Sequence, residues 1–259
     1  MPLSIIKLSQ SVLLATCMLT ALADEGEHPA EKRKFNLPPS ATLNYSIQAQ
    51  QSGLQLSGNA VMRWNAGDNK FKIETETRAM LVGKILDAKS EGTIDEFGLA
   101  PTSFTEKRFH KDATTTSFNH ESSLISFSTS ANTYPIKGGE QDRNSAIWQL
   151  IAVARGAHTK FKEDSEWRFF VAGQHDADVW SFKVDKQESV RTPMGNVHAM
   201  HVVKLPLAES KGQQVDIWLA PSLDWYPVRL RYTEPNGDYI EEVLDSVTKA
   251  GDVAAKQDD

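Results

Sequence analysis

Apolar and polar residues alternate along most of this chain. Phe71, Ile73, Thr75 and Thr77 are interleaved with Lys70, Lys72, Glu74 and Glu76. Trp180, Phe182 and Val184 alternate with Ser181, Lys183 and Asp185; Val215, Ile217 and Leu219 with Gln214 and Asp216; Val228, Leu230 and Tyr232 with Arg229 and Arg231. Successive side chains of a strand point to opposite faces. A period of two therefore predicts strands with one buried and one wet face, as in antiparallel sheets. Turn sequences interrupt the alternation at Gly67-Asp68-Asn69, Gly98-Leu99-Ala100-Pro101, Pro193-Met194-Gly195 and Pro235-Asn236-Gly237. A two-residue Asn236-Gly237 turn would set Arg231 opposite Glu242 and Leu230 opposite Val243. Met80 to Leu86 also reads as strand.

One segment has a different period. Ile147, Leu150, Ile151 and Ala154 recur at helical spacing, predicting a helix over about 144–155, with Asp142 or Ser145 able to cap its start and Gly156 to end it. Trp148 and Val153 make its remaining face apolar too, so the helix should be buried. About a dozen strands and one buried helix predict a mainly β fold: a strongly curved antiparallel sheet or an open β-barrel.

Composition sharpens the picture at the termini. The first 23 residues carry one charge, Lys7, then a short apolar run ending in Ala21-Leu22-Ala23. That is the pattern of a cleaved signal peptide, and the run is shorter than the roughly 20 apolar residues a membrane span needs. The single cysteine, Cys17, lies inside it after Leu14-Ala15-Thr16, so the alternative is a lipoprotein anchored through Cys17. Residues 24–38 are charged and aperiodic and are expected to be a disordered linker. Residues 39–249 would form one β-rich domain, and 250–259 a disordered tail. With 28 basic and 34 acidic residues the net charge is −6, the opposite of a nucleic-acid binder. No later segment is apolar enough to span a bilayer once the leader is removed. A periplasmic or otherwise exported location follows.

Catalytic fingerprints are sparse. There is no G-x-S-x-G elbow. His120-Glu121 begins like a zincin motif, but Leu124 stands where the second histidine belongs. His198 and His201 are three apart, which on a straight strand sends them to opposite faces. His110 and His120 could face each other across a hairpin. Asp176 and Asp178 flank a turn, where turn chemistry accounts for them. No metal site, cofactor or catalytic residue is expected. The remaining candidates are apolar. Trp148, Ile151, Trp180, Phe182 and Phe71 would line a ligand cavity between helix and sheet. Trp218, on the polar face with Gln214 and Asp216, is a candidate contact residue.

Several strings resemble the exported bacterial family called domain of unknown function 3108. They are Gly92-x-Ile94 with Gly98-Leu99-x-Pro101, Gln141-Asp142 with Gln149-Leu150, and Glu188-x-x-x-Thr192-Pro193-x-Gly195. Val215-Asp216-Ile217-Trp218-Leu219 and Tyr226-Pro227-Val228-Arg229-Leu230 complete the set. The resemblance runs from about Pro38 to Val247. It implies an exported β-rich protein and no particular activity. The C-terminal strands also look like the half-barrels of periplasmic lipoprotein carriers, a likeness at the level of fold. The expected function is non-enzymatic binding of an apolar or amphipathic envelope ligand. The partner would be a lipid-like small molecule or an envelope protein. An envelope structural or interaction module is the alternative, and an enzyme with a dispersed site the third.

Overall fold

The computed structural model describes residues 28–204 and 212–251. The expected leader with Cys17, residues 24–27 of the expected linker and the expected tail beyond residue 251 lie outside them. Fifteen strands form one sheet. The first eight are β1 (Ala41–Gln51), β2 (Leu54–Gly67), β3 (Lys70–Ala79), β4 (Gly83–Asp95), β5 (Gly98–Arg108), β6 (Thr114–Asn119), β7 (Leu124–Phe127) and β8 (Ser130–Pro135). The two-residue β9 (Gln141–Asp142) and helix α1 (Ser145–Gly156) follow. The chain then forms β10 (Glu166–Ala172), β11 (Ala177–Thr192), β12 (Gly195–Lys204), β13 (Gln214–Leu219), β14 (Pro227–Thr233) and β15 (Tyr239–Lys249). The spatial order is 8-7-6-5-4-3-2-1-15-14-13-12-11-10-9, antiparallel throughout except for the parallel β9–β10 pair. The sheet is mainly β with one helix, as expected, and is not closed into a barrel. The count exceeds the expected dozen because β6, β7 and β8 are only four to six residues long. Such short strands show too few alternations to register as a pattern.

The sheet rolls past itself instead of closing edge to edge. β10 is buried on both faces. Trp167, Phe169 and Val171 join the core around the helix, while Phe170 and Ala172 join a second core with Ala88, Phe104, Phe118, Ile125 and Phe127 from β4–β7. The β6–β8 end thus covers the far side of the β10–β11 hairpin. Side chains fasten the overlap to the turn between those strands: Thr116 Oγ1 donates to Gly173 O (2.6 Å), Thr129 Oγ1 to Gln174 O (2.7 Å) and Asn132 Nδ2 to His175 O (3.1 Å). A free sheet edge would offer unpaired backbone groups to other chains; overlap and the terminal Pro135 blunt this one.

Helix α1 forms where its period predicts and is buried on nearly every side. Asp142 Oδ1 accepts from the backbone N–H of Asn144 and Ser145 at 2.8 Å each, and Ser145 Oγ accepts from Asp142 N–H at 2.9 Å. This reciprocal cap satisfies helix-start donors that burial would otherwise strand. Two glutamines clamp the helix to the β4–β5 turn. Gln149 accepts from Leu99 N–H (2.9 Å) and donates to Phe97 O (2.7 Å); Gln141 Nε2 donates to Leu99 O (2.7 Å). Gly98, at φ +116°, leaves the room: a Cβ there would sit 2.4 Å from the Gln149 amide. Several strings that mark the family resemblance are therefore parts of one fastener.

Three expectations need correction. The charged run before β1 does not stand free as a linker over residues 28–38. Phe35 and Leu37 pack on the core, Asn36 N–H donates to Ala152 O (2.8 Å), and Trp64 Nε1 donates to Pro38 O (3.0 Å). Two apolar side chains and a set of backbone partners outweigh its charge. Met80–Val82 is a turn, with Leu81 at φ +73°, and strand resumes at Gly83. The last hairpin is displaced by one residue: Leu230 pairs with Glu242 and Arg231 with Glu241. Gly237 N–H bonds to Glu234 O and Gly237 takes φ +88°, which makes a three-residue loop in place of the two-residue one. A shift of one residue exchanges the two faces of a strand. It carries Glu242 into the core, where burial pushes its carboxyl up to about 7 and Oε2 finds no hydrogen-bond partner.

Candidate functional site

The structure brings four of the expected lining residues together. Trp148, Ile151, Phe182 and Phe71 are buried in the core around α1, with Trp180 half-buried at its margin. They pack on protein. Trp148 stacks on Trp64 with ring centroids 4.7 Å apart and meets Tyr226 edge-on at 6.2 Å. Lys204 Nζ lies 4.6 Å above the Trp180 ring. Phe71 also borders an open groove of about 600 Å3 beside the β2–β3 turn, with Ser40, Ala66, Lys72, Glu91 and Gly92.

Trp218 is set apart, on the opposite face of β13 from Val215, Ile217 and Leu219. It is sandwiched there. The His201 ring stacks on one side at 4.5 Å and 8°, and the Arg229 guanidinium lies 4.6 Å from the indole. Its Nε1 donates to Glu188 Oε2 at 2.9 Å. His201 Nε2 lies 2.9 Å from Asp216 Oδ1, and Nδ1 lies 3.2 Å from Asp185 Oδ2. Gln214 Nε2 donates to the other Asp216 oxygen at 2.8 Å. Burial pulls the His201 imidazole down, but its hydrogen bonds to Asp216 and Asp185 prevail and raise it. Burial would raise Asp216, yet its bonds to His201 and Gln214 hold it below the usual carboxylate range.

The strand pattern alone could not find this group. Asp185 and Glu188 are three apart, and on a straight strand they would face opposite ways. The β11–β12 register shifts between Val184 and Gln187, and this bulge restores both carboxylates to the His201 side. Cross-strand pairing then sets His201 opposite Trp218. Glu188, Asp216, Trp218 and Arg229 all belong to strings quoted for the family resemblance. His201 does not, and its only sequence signal was negative, the spacing from His198.

A third feature lies at one end of the sheet. The β1–β2, β3–β4 and β5–β6 hairpins turn there side by side, tied by Met80 N–H to Ser57 O (2.8 Å) and Phe109 N–H to Ile85 O (2.9 Å). Leu54, Leu56, Met80, Leu81, Val82 and Phe109 are all exposed, Leu81 completely and Met80 by 68%. Arg78, Lys84, Arg108 and Lys111 stand beside these apolar tips, with Arg78 and Lys84 paired to Glu76 and Arg108 to Glu106.

The remaining polar candidates do not converge. His110 and His120 lie at opposite ends of β6 and do not face each other; His120 Nε2 sits 2.8 Å from Pro101 O. Asp176 lies in the β10–β11 turn, where its carbonyl accepts from Gly173 N–H at 2.8 Å.

One solved structure shares this architecture. A β-barrel-like protein of domain of unknown function 1849 from Brucella abortus is 14% identical, covers 83% of this chain and 99% of its own, and superimposes with a TM-score of 0.55. A candidate outer membrane lipoprotein-sorting domain from Vibrio parahaemolyticus matches at 7% identity, 82% and 86% coverage and a TM-score of 0.33. A DUF1329 family protein from Desulfovibrio piger matches at 9% identity, with the same coverages and a TM-score of 0.32. No curated protein sequence matches the chain. The model of the protein family of unknown function DUF3108 matches residues 44–244, so the chain belongs to that family.

Proposed function

We propose that this is an exported envelope protein that binds an amphipathic, lipid-like ligand without turning it over, and that it meets a lipid surface with its hairpin tips. The observation that carries this reading is the fringe of six exposed apolar side chains on three adjacent hairpins. Contiguous exposed apolar surface of this kind marks interaction sites. Apolar tips flanked by lysine and arginine suit the boundary between headgroups and acyl chains. Fully burying one Leu or Met side chain is worth roughly 1.5–3 kcal/mol, so a few inserted tips give reversible attachment. The leader-like start of the chain supports delivery to the envelope. The side chains expected to line an interior cavity are packed against one another, which favours contact at the tips.

Sedimentation with vesicles of phosphatidylethanolamine and phosphatidylglycerol tests the proposal. The protein should pellet with them, and Met80→Asp combined with Leu81→Asp should weaken that by tenfold or more. No pelleting, or pelleting unchanged in the double variant, overturns it. Specific crosslinking of the tips to an envelope protein in the absence of vesicle binding would favour the interaction-module reading. Mass spectrometry of the mature N-terminus distinguishes leader removal after Ala23 from lipidation at Cys17.

A further inference from the structure

Asp185, Glu188 and His201 present ligand atoms that all lie within 4.8 Å of one another. Among the described residues they are the one group of three acidic or histidine side chains so placed. We propose that they bind a first-row divalent metal ion such as Zn2+ or Mn2+, on the outward face of β11–β13 and independently of the lipid-facing tips.

The argument starts from which atoms carry protons. Asp216 Oδ1 lies 2.9 Å from His201 Nε2 and is itself held by Gln214, so it is placed to accept the Nε2 proton. The other ring nitrogen, Nδ1, lies 3.2 Å from a carboxylate oxygen of Asp185, with Glu188 beside it. The three groups thus converge on one point, where either a proton on Nδ1 or a metal ion can sit between them. The surroundings of the ring suit a metal. A histidine that ligates metal characteristically gives its other N–H to a carboxylate, which fixes its tautomer and ring plane. Asp216 occupies that place. The Trp218 ring holds the imidazole flat against it, and its indole N–H takes one oxygen of Glu188, leaving the other to ligate.

One nitrogen and two carboxylate oxygens suit zinc, manganese and their neighbours better than calcium, which takes oxygen alone. Metal–ligand bonds of about 2.1 Å require ligand atoms no more than about 4.2 Å apart. Asp185, whose side chain is half exposed, has the freedom to move the last few tenths of an ångström. Three protein ligands leave coordination positions open to water or to an anionic ligand. The bulge between Val184 and Gln187 is what assembles the set, since without it Asp185 and Glu188 would part to opposite faces.

Isothermal titration of untagged, chelator-stripped protein with Zn2+, and separately with Mn2+, tests the site. One ion should bind per chain. His201→Ala should lower the affinity at least tenfold, and Glu188→Gln should do the same in a nearly isosteric background. Asp216→Asn should weaken binding by about 10–100-fold without touching the metal. In the wild type, the His201 ring resonances should shift on adding one equivalent. No saturable binding, or a site unaffected by His201→Ala and Glu188→Gln, overturns the proposal. A doubly protonated His201 whose resonances ignore the metal also overturns it.

Discussion

Two polar clusters sit at the borders of the same core, and their hydrogen-bond inventories differ. At the start of α1, Asp142 is fully buried, and each oxygen has a donor: Ser90 Oγ on one, the Asn144 and Ser145 amides on the other. Burial raises its carboxyl to about 6, working against those hydrogen bonds. At His201 the groups are partly open: His201 hydrogen-bonds Asp216 and Asp185, Trp218 donates to Glu188, and ligand atoms of Asp185, Glu188 and His201 lie within 4.8 Å of one another. A buried polar group with a complete set of partners is a fastener, costly to break and inert. One that gathers two carboxylates and an imidazole, partly open to solvent, is a place for a cation.

The largest expected effect is at the fastener. Asp142→Ala leaves the Ser90 hydroxyl and two helix-start amides without an acceptor and should cost about 3 kcal/mol or more in a urea unfolding titration. A loss below 1 kcal/mol would erase the contrast.

Glu242 probes the case in between, a buried carboxyl with one unpartnered oxygen. Its pKa rises on folding to about 7. The folded state thus prefers the protonated acid. The stability is fully present below the unfolded value near 4.5 and is lost as pH rises through about 7. Asp142 is raised too and acts in the same direction. Thermal stability should therefore climb between pH 8 and pH 5. Glu242→Gln should flatten most of that slope and stabilise the protein by about 3 kcal/mol at pH 8. A slope left unchanged by the substitution places its origin elsewhere, first at Asp142.

At the His201 cluster, Trp218→Ala should cost about 2 kcal/mol, because it removes a packed aromatic as well as the donor to Glu188. The cost should grow when Zn2+ is present, since metal held by the native state adds to stability by mass action. Equal cost with and without Zn2+ would assign Trp218 to packing alone. Smallest of all, Arg231→Ala removes a partly exposed contact to Glu241 at 3.2 Å and should change stability by less than about 1 kcal/mol.

Much of this fold is legible in local pattern. The alternation at Phe71–Thr77 and at Val215–Leu219, the helical spacing from Ile147 to Ala154, and the cap at Asp142 each depend on neighbours within a few residues. The turn at Met80–Val82 escaped because an apolar Met-Leu-Val run looks like strand, and only its exposure shows it is a tip. The candidate metal site escaped for a sharper reason. Asp185 and Glu188 are three apart, which on a straight strand would part their faces, and one bulge on β11 brings them to the same face.

The sequence by itself determined the period of each segment, and hence a mainly β chain with one buried helix. It also marked the turns, and through Glu188, Asp216, Trp218 and Arg229 it supplied most members of the outward cluster. The tertiary structure alone decided which strands meet, that the sheet rolls past itself with β10 inside, and that Glu242 lies in the core. It alone decided that His201 stands between Asp185 and Asp216. The physical reason is that side-chain direction in a strand has a period of two. A single extra residue in a loop or a bulge reverses every inference downstream, and only long-range pairing reveals where that residue goes.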